Sequence, residues 1–206
     1  MDQNLSKNTI RSGRPRDPDI EQRVVEASYR ILAESGYQGL SFAKVSQLSG
    51  VARPTIKLRW HTQADLCIAT VKYILDTPLD IQIPDDLTGH NVRELTTAVL
   101  AGLIRALSVP QTIRILTSVI SAAHFSEPLG QLRQYILSRR GIVLRQLIEA
   151  GMQNGEFSNC TDVEFALDAL NGPILYHTLI LGLPMDPKQS VQIVDMVFPV
   201  RKHNAD

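Results

Sequence analysis

The chain is poor in aromatic residues, in cysteine and in net charge. Phe, Trp and Tyr make up 5% of its 206 residues. Strand-like alternation of apolar and polar residues is nearly absent, which argues against a sheet-built fold. Long apolar-periodic runs make an all-α protein the expectation. The two cysteines, Cys67 and Cys160, are too few for a disulfide framework. Both fall in helical patterns and read as small buried apolar groups. The N-terminus lacks the apolar core of a secretory signal. No apolar run approaches the roughly 18 residues of a membrane span. A cytoplasmic protein with no membrane partner is therefore expected. There is no glycine-rich phosphate loop. The five histidines, His61, His90, His124, His177 and His203, are scattered without metal spacing or a nucleophile motif. Neither an enzyme nor a metal or cofactor site is expected.

Zero net charge, taken alone, argues against a nucleic-acid partner, but the distribution of charge argues for one. Residues 1–72 hold 11 Lys/Arg against 7 Asp/Glu, a balance of +4, and residues 73–206 hold 10 against 14, a balance of −4. That asymmetry suits a DNA-binding head on a body with another task. The length allows one or two domains, and 44% hydrophobic and 20% charged residues are ordinary for a globular chain.

Residues 41–60, SFAKVSQLSGVARPTIKLRW, organise the head. They read as a short helix over 41–49, a sharp turn at Gly50, and a second short helix over about 52–60 with Pro54 near its start. Phe42, Val45, Leu48 and Val51, then Ile56 and Trp60, form the inward side. Arg53, Pro54, Thr55, Lys57 and Leu58 face outward, with Arg59 extending the basic surface. This is a helix-turn-helix with a basic face, a shape that fits a DNA major groove.

Upstream, residues 1–17 carry GRPR, with Arg14 and Arg16. The segment reads as a solvated tail or as a basic arm following the DNA backbone, and the two are compatible because such an arm can order on binding. The first helix spans about 18–35, with its stripe at Ile20, Val24, Ala27 and Ile31 and its stop at Gly36. Thr62 caps a fourth helix over 63–75, which links head to body. Residues 77–89 form a connector. The body, 76–206, reads as five helices: 91–107, 110–125, 128–154, a fourth capped by Thr161 with Glu164 as a capping box and running to about 182, and a last over 188–197. The architecture expected is a three-helix helix-turn-helix head over 18–75 and a larger helical bundle, about nine helices in all.

With these pieces in place, the chain resembles the TetR family of bacterial transcriptional regulators. The family's segment G-V-S-x-x-T-[LI]-Y-x-[HR]-[FW] is matched by GVARPTIKLRW over 50–60, and ILAESGYQGLS over 31–41 matches the end of its first helix. The match covers about 18–75. A looser likeness to one branch runs through RRGIVLRQLIEAGMQNGEF (139–157) and DALNGPILYHTLILGLP (168–184). The departures are informative. Lys57 stands at the usual aromatic, Gln63 at a common phosphate-binding Lys, and Ala52 at the usual N-cap Ser, a change that weakens a helix by roughly 0.5–2 kcal/mol. Lys44 sits where an acid would suit the helix dipole, so it reads as a backbone contact or as a solvated lysine.

Arg53 is the candidate for base readout, since Arg pairs bidentately with guanine. Pro54 and Leu58 offer apolar contact to a thymine methyl, and Ser41, Thr55 and Lys57 suit phosphates. The helices over 161–198 are too apolar for water. The resemblance implies that they form a two-fold four-helix interface, giving a homodimer that reads a palindromic operator on double-stranded DNA. It also implies a small-molecule effector, with hydrophobic character suggested by the apolar body, that shifts the fourth helix and releases the DNA, as a repressor requires. Polar candidates for the effector site are Thr117, His124, Tyr135, Asn171, Tyr176 and His177, each with the alternative of a hydrogen-bonded core or interface role. The rival reading is a helical small-molecule-binding or scaffolding dimer without specific DNA binding.

Overall fold

The computed structural model describes residues 18–76, 81–157 and 162–199, apart from the side chains at 18, 133, 134 and 136–140. Arg14, Arg16, Cys160, Thr161 and His203 lie outside the described residues. Among the described residues the chain is all-helical, with ten α-helices and one π-helical turn.

The head contains α1 (Pro18–Gly39), α2 (Phe42–Ser49), α3 (Arg53–Arg59) and α4 (Gln63–Asp76). Val24, Val25, Ile31 and Leu32 of α1 are buried, so the expected stripe is its core-facing side. Gly36 (φ 62, ψ −169) interrupts the helix at the anticipated stop, and the chain continues as a further turn to Gly39. Leu40, Val45, Val51, Ile56 and Trp60 close the core beneath it.

The body contains α5 (Val92–Leu107), α6 (Pro110–Ala123), α7 (Glu127–Arg140), α8 (Ile142–Gln153), α9 (Val163–Leu175), a π turn (Tyr176–Ile180) and α10 (Gln189–Val197). Leu100, Ile104, Ile115, Leu147, Ile148, Leu170 and Ile174 are fully enclosed at its centre. Polar contacts fasten its base. The Glu156 carboxylate accepts from the backbone N–H groups of Val92 and Arg93 at 3.1 and 3.0 Å, on the positive end of α5. Arg93 reaches Asp195 and the Phe198 carbonyl at 2.9 and 2.7 Å, and Phe157 stacks on Phe198 with centroids 3.9 Å apart. The head packs on the body through α1 against α6 and α4 against α7.

The structure corrects the sequence reading at several points. Leu48, expected inside, is 49% exposed, because α2 turns Val45 and Ser49 inward and leaves Leu48 on its flank. The helix expected over 128–154 is two, α7 and α8, which part where buried Gly141 passes Leu167 of α9. The next helix is capped by Asp162 rather than Thr161. The Asp162 side chain accepts from the N–H groups of Glu164 and Phe165 at 2.9 and 3.1 Å. That helix does not run unbroken to 182. Pro173 removes one backbone donor, and the chain widens into the π turn, where the Leu181 N–H bonds to the Tyr176 carbonyl at 3.0 Å. No single described helix is long and apolar enough to cross a membrane.

Candidate nucleic-acid interface

The turn between α2 and α3 is built first from backbone geometry. Gly50 closes α2 in the left-handed region (φ 69) and bonds back to the Ser46 carbonyl at 3.0 Å. A Cβ at residue 50 would be strained there and would also lie 2.9 Å from the Arg23 guanidinium. Arg23, from α1, donates through Nε to the Ser49 carbonyl at 3.1 Å and through Nη2 to the same oxygen. Its charge thus sits at the negative end of α2. Ser41 caps the other end, its hydroxyl accepting from the Lys44 N–H at 3.3 Å.

The recognition helix α3 lies on this frame with Ile56 fully buried and Trp60 nearly so. One inward residue per turn decides which way the others point. Arg53, Pro54, Lys57 and Leu58 are exposed, Leu58 to 80%, while Thr55 and Arg59 are half-buried. Ala52 makes no side-chain cap. Lys44 is exposed on α2, and Ser41 at its start is half-buried. Lys57 leans back, its ammonium 5.5 Å from the centroid of the Phe42 ring. Arg14 and Arg16 fall outside the described residues.

Thr62 and Asp65 cap α4 reciprocally. The Asp65 N–H donates to the Thr62 hydroxyl at 3.1 Å, and the Thr62 N–H to the Asp65 carboxylate at 2.8 Å. Gln63, noted in the sequence only as a missing charge, donates to the Tyr37 carbonyl at 2.7 Å and ties the start of α4 to the end of α1. Arg23 and Gln63 are the organising residues that the sequence reading missed. Each makes its bond across 26 residues, so no local pattern announces it. Behind them, burial pushes the Cys67 thiol up to about 12, and burial followed by the Cys67 charge raises Tyr37.

The six effector candidates fall in different places. Thr117 and His124 are exposed on α6 and at its C-cap, and His124 lines an open depression with Phe125 and Gly130. Tyr135 stands at the junction of α4 and α7, where its hydroxyl donates to the Asp76 carboxylate. Asn171 is buried, its amide donating to the Leu167 carbonyl at 2.7 Å. The Asn171 Oδ1 and the Nδ1 of half-buried His177 have no hydrogen-bond partner among the described residues. Tyr176 is 54% exposed and edge-on to His177. It belongs to an outward row of α9 and the π turn, Phe165, Asp168, Gly172, Tyr176 and Ile180, beside exposed Val191 and Met196 of α10.

Comparison with known proteins agrees with this anatomy. Residues 86–197 match the family described as tetracyclin repressor-like, C-terminal domain. The chain is 29% identical over 172 residues to the uncharacterized HTH-type transcriptional regulator YdeS of Bacillus subtilis, covering 82% of this chain and 83% of that one. It is 25% identical over 178 residues to the HTH-type transcriptional regulator AqdR of Rhodococcus erythropolis, covering 85% and 83%. The crystal structure of a TetR transcriptional regulator from Agrobacterium tumefaciens superposes with a TM-score of 0.67 at 19% identity, covering 88% of this chain and 92% of that one, a likeness of fold. These are regulators and not enzymes, the class the sequence pointed to. A helix-turn-helix head joined to a body of this type makes the chain a member of the TetR family of DNA-binding transcriptional regulators.

Proposed function

We propose that the chain is a cytoplasmic repressor that binds a palindromic operator as a homodimer and is released by a small hydrophobic effector. One observation carries the reading. The outward surface of α3 is basic, while the outward side of α9, the π turn and α10 carries large apolar side chains around Asp168, with Phe165 72%, Ile180 73% and Met196 66% exposed. An apolar strip of that kind on a globular protein marks a place where another surface belongs. A two-fold pairing through about 161–198 would cover it and set two recognition helices side by side. The half-sites would then lie about one helical turn apart, or slightly more.

Each head would use Arg53 on a guanine and Pro54 and Leu58 on a thymine methyl. Ser41, Lys44, Thr55, Lys57 and Arg59 would serve as phosphate contacts, and Arg14 and Arg16 would lie along the backbone. In the body, the unpaired Asn171 Oδ1 and His177 Nδ1 support an effector carrying few polar groups on an apolar frame. It would act by preferring a body in which α4 no longer holds the heads at the operator spacing. An effector that left DNA affinity unchanged at saturation would refute that coupling.

The test is a mobility-shift titration on the DNA upstream of the chain's own gene, repeated across salt concentrations, with a footprint at the tightest condition. A protected palindrome is expected. The logarithm of the affinity should fall linearly with the logarithm of salt, with a slope of about −0.9 per phosphate neutralised. Binding with no footprint and no salt slope would favour the scaffolding dimer.

A further inference from the structure

We propose that Tyr135 is a positioning residue for operator binding: its hydrogen bonds to Asp76 set the tilt of the head on the body, and with it the half-site spacing that the protein accepts. The proposal rests on the two-fold reading above.

The Tyr135 hydroxyl lies 2.6 and 2.8 Å from the two carboxylate oxygens of Asp76. One turn earlier on α4, the Lys72 ammonium stands 4.7 Å from the centroid of the same ring. Two side chains of the head's last helix therefore hold one side chain of the body, Lys72 at the ring and Asp76 at the hydroxyl. A phenol donating to a carboxylate is a charge-assisted bond, roughly twice as strong as a neutral one.

The grip sits where leverage is greatest. α4 has 14 residues and so spans about 21 Å. Its first turn is fixed inside the head by the Thr62–Asp65 box and by Gln63 on the Tyr37 carbonyl. Its last residue, Asp76, is held by the body. The main contact between the two parts, α1 on α6, comes close at Gly36, where a Cβ would stand 3.2 Å from that of Ser118. That packing seats the head on the body, and the Tyr135–Asp76 bond at the far end of α4 adds a second hold on its tilt. In a dimer a tilt of each head changes the separation of the recognition helices. One base-pair step is only about 3.4 Å, so a small angle matters.

The experiment uses the full chain and the footprinted operator in a series with one base pair removed from or added to its centre, together with an isolated half-site. Tyr135→Phe keeps the ring and the Lys72 contact and removes the hydroxyl. The wild type should prefer one spacing. In the variant the affinity ratio between best and worst spacing should drop about tenfold, equivalent to about 1.4 kcal/mol, while half-site affinity stays unchanged and the thermal midpoint falls by no more than about 2–4 °C. Asp76→Asn keeps one acceptor and should lose about threefold. It also decides the matter if the first variant folds poorly. An unchanged ratio in a folded variant overturns the proposal, and so does an equal loss at every spacing and at the half-site. A wild type indifferent to spacing overturns the two-fold reading, and this one with it.

Discussion

Head and body treat their polar and apolar groups in opposite ways. The head is finished as a single chain. Arg23 satisfies the end of α2, Gln63 the end of α1, and Thr62 and Asp65 the start of α4. Its open face around α3 mixes the charges of Arg53 and Lys57 with exposed Pro54 and Leu58. In the body, two buried polar atoms have no partner among the described residues, and large apolar side chains such as Phe165 and Ile180 face outward. Leaving a buried acceptor unpaired costs about 1–3 kcal/mol, and exposed Phe and Ile gain nothing from water. The contrast teaches that the head needs only DNA to complete it. On the proposed reading, the body's unfinished surfaces are where a second chain and a ligand would sit.

The sharpest way to break this contrast is to make the body's strip polar. Phe165→Asp combined with Ile180→Asp should give a monomer by analytical ultracentrifugation and lower operator affinity by about 10²–10⁴-fold through lost bivalency. A variant that stays dimeric would remove the strip from the interface. On the head, Arg53→Ala should cost about 1–3 kcal/mol at the operator and leave random DNA alone, as read by competition titration. Equal losses on both would reduce Arg53 to a phosphate contact. Asn171→Leu probes the unpaired atom. Removing that acceptor should raise stability by about 1 kcal/mol, or the midpoint by about 2–4 °C, and abolish any effector response. A lower midpoint would show that the oxygen is not a burden.

The smallest effect concerns Cys67. Its thiol is pushed from 9.0 up to about 12 by burial. The neutral form is the one the fold favours, so this contribution is complete below pH 9.0 and is lost as pH rises towards 12. In a Cys160→Ser chain, a thiol reagent at pH 8 should label nothing until the protein is unfolded. Labelling of the native chain would show that the core of the head opens.

Local periodicity made much of this legible. The stop at Gly36, the left-handed turn at Gly50, the helix starts at Pro110 and Gln63, and the burial of Ile56 and Trp60 follow from spacing and from residues with restricted backbones. The exposure of Arg53, Pro54, Lys57 and Leu58 follows from the burial of Ile56 and Trp60. What stayed hidden was tertiary. Arg23 meets Ser49 and Gln63 meets Tyr37 across 26 residues, and Tyr135 meets Asp76 across 59. No window of sequence holds both partners. The break at Gly141 was hidden for a similar reason. Its backbone departs from helical values by about 40° in φ and about 30° in ψ (φ −103, ψ −10) where it passes Leu167 of α9, a neighbour that only the fold supplies.

The π turn at Tyr176–Ile180 has one more consequence. On an α-helix each residue advances about 100°, so three steps of four residues, from Asp168 to Ile180, would swing an outward row about 120° around the axis. Closing the Leu181 N–H on the Tyr176 carbonyl, five residues back, puts an extra residue into the turn and takes back part of that swing. It acts as a phase correction, keeping Ile180 in line with Phe165. Deleting one residue within the turn would restore ordinary winding and rotate Ile180 out of line. The core around Leu170 and Ile174, upstream of the change, would stay as it is. The surface offered for the proposed pairing would then be altered by indel length alone, without exchanging one side chain for another.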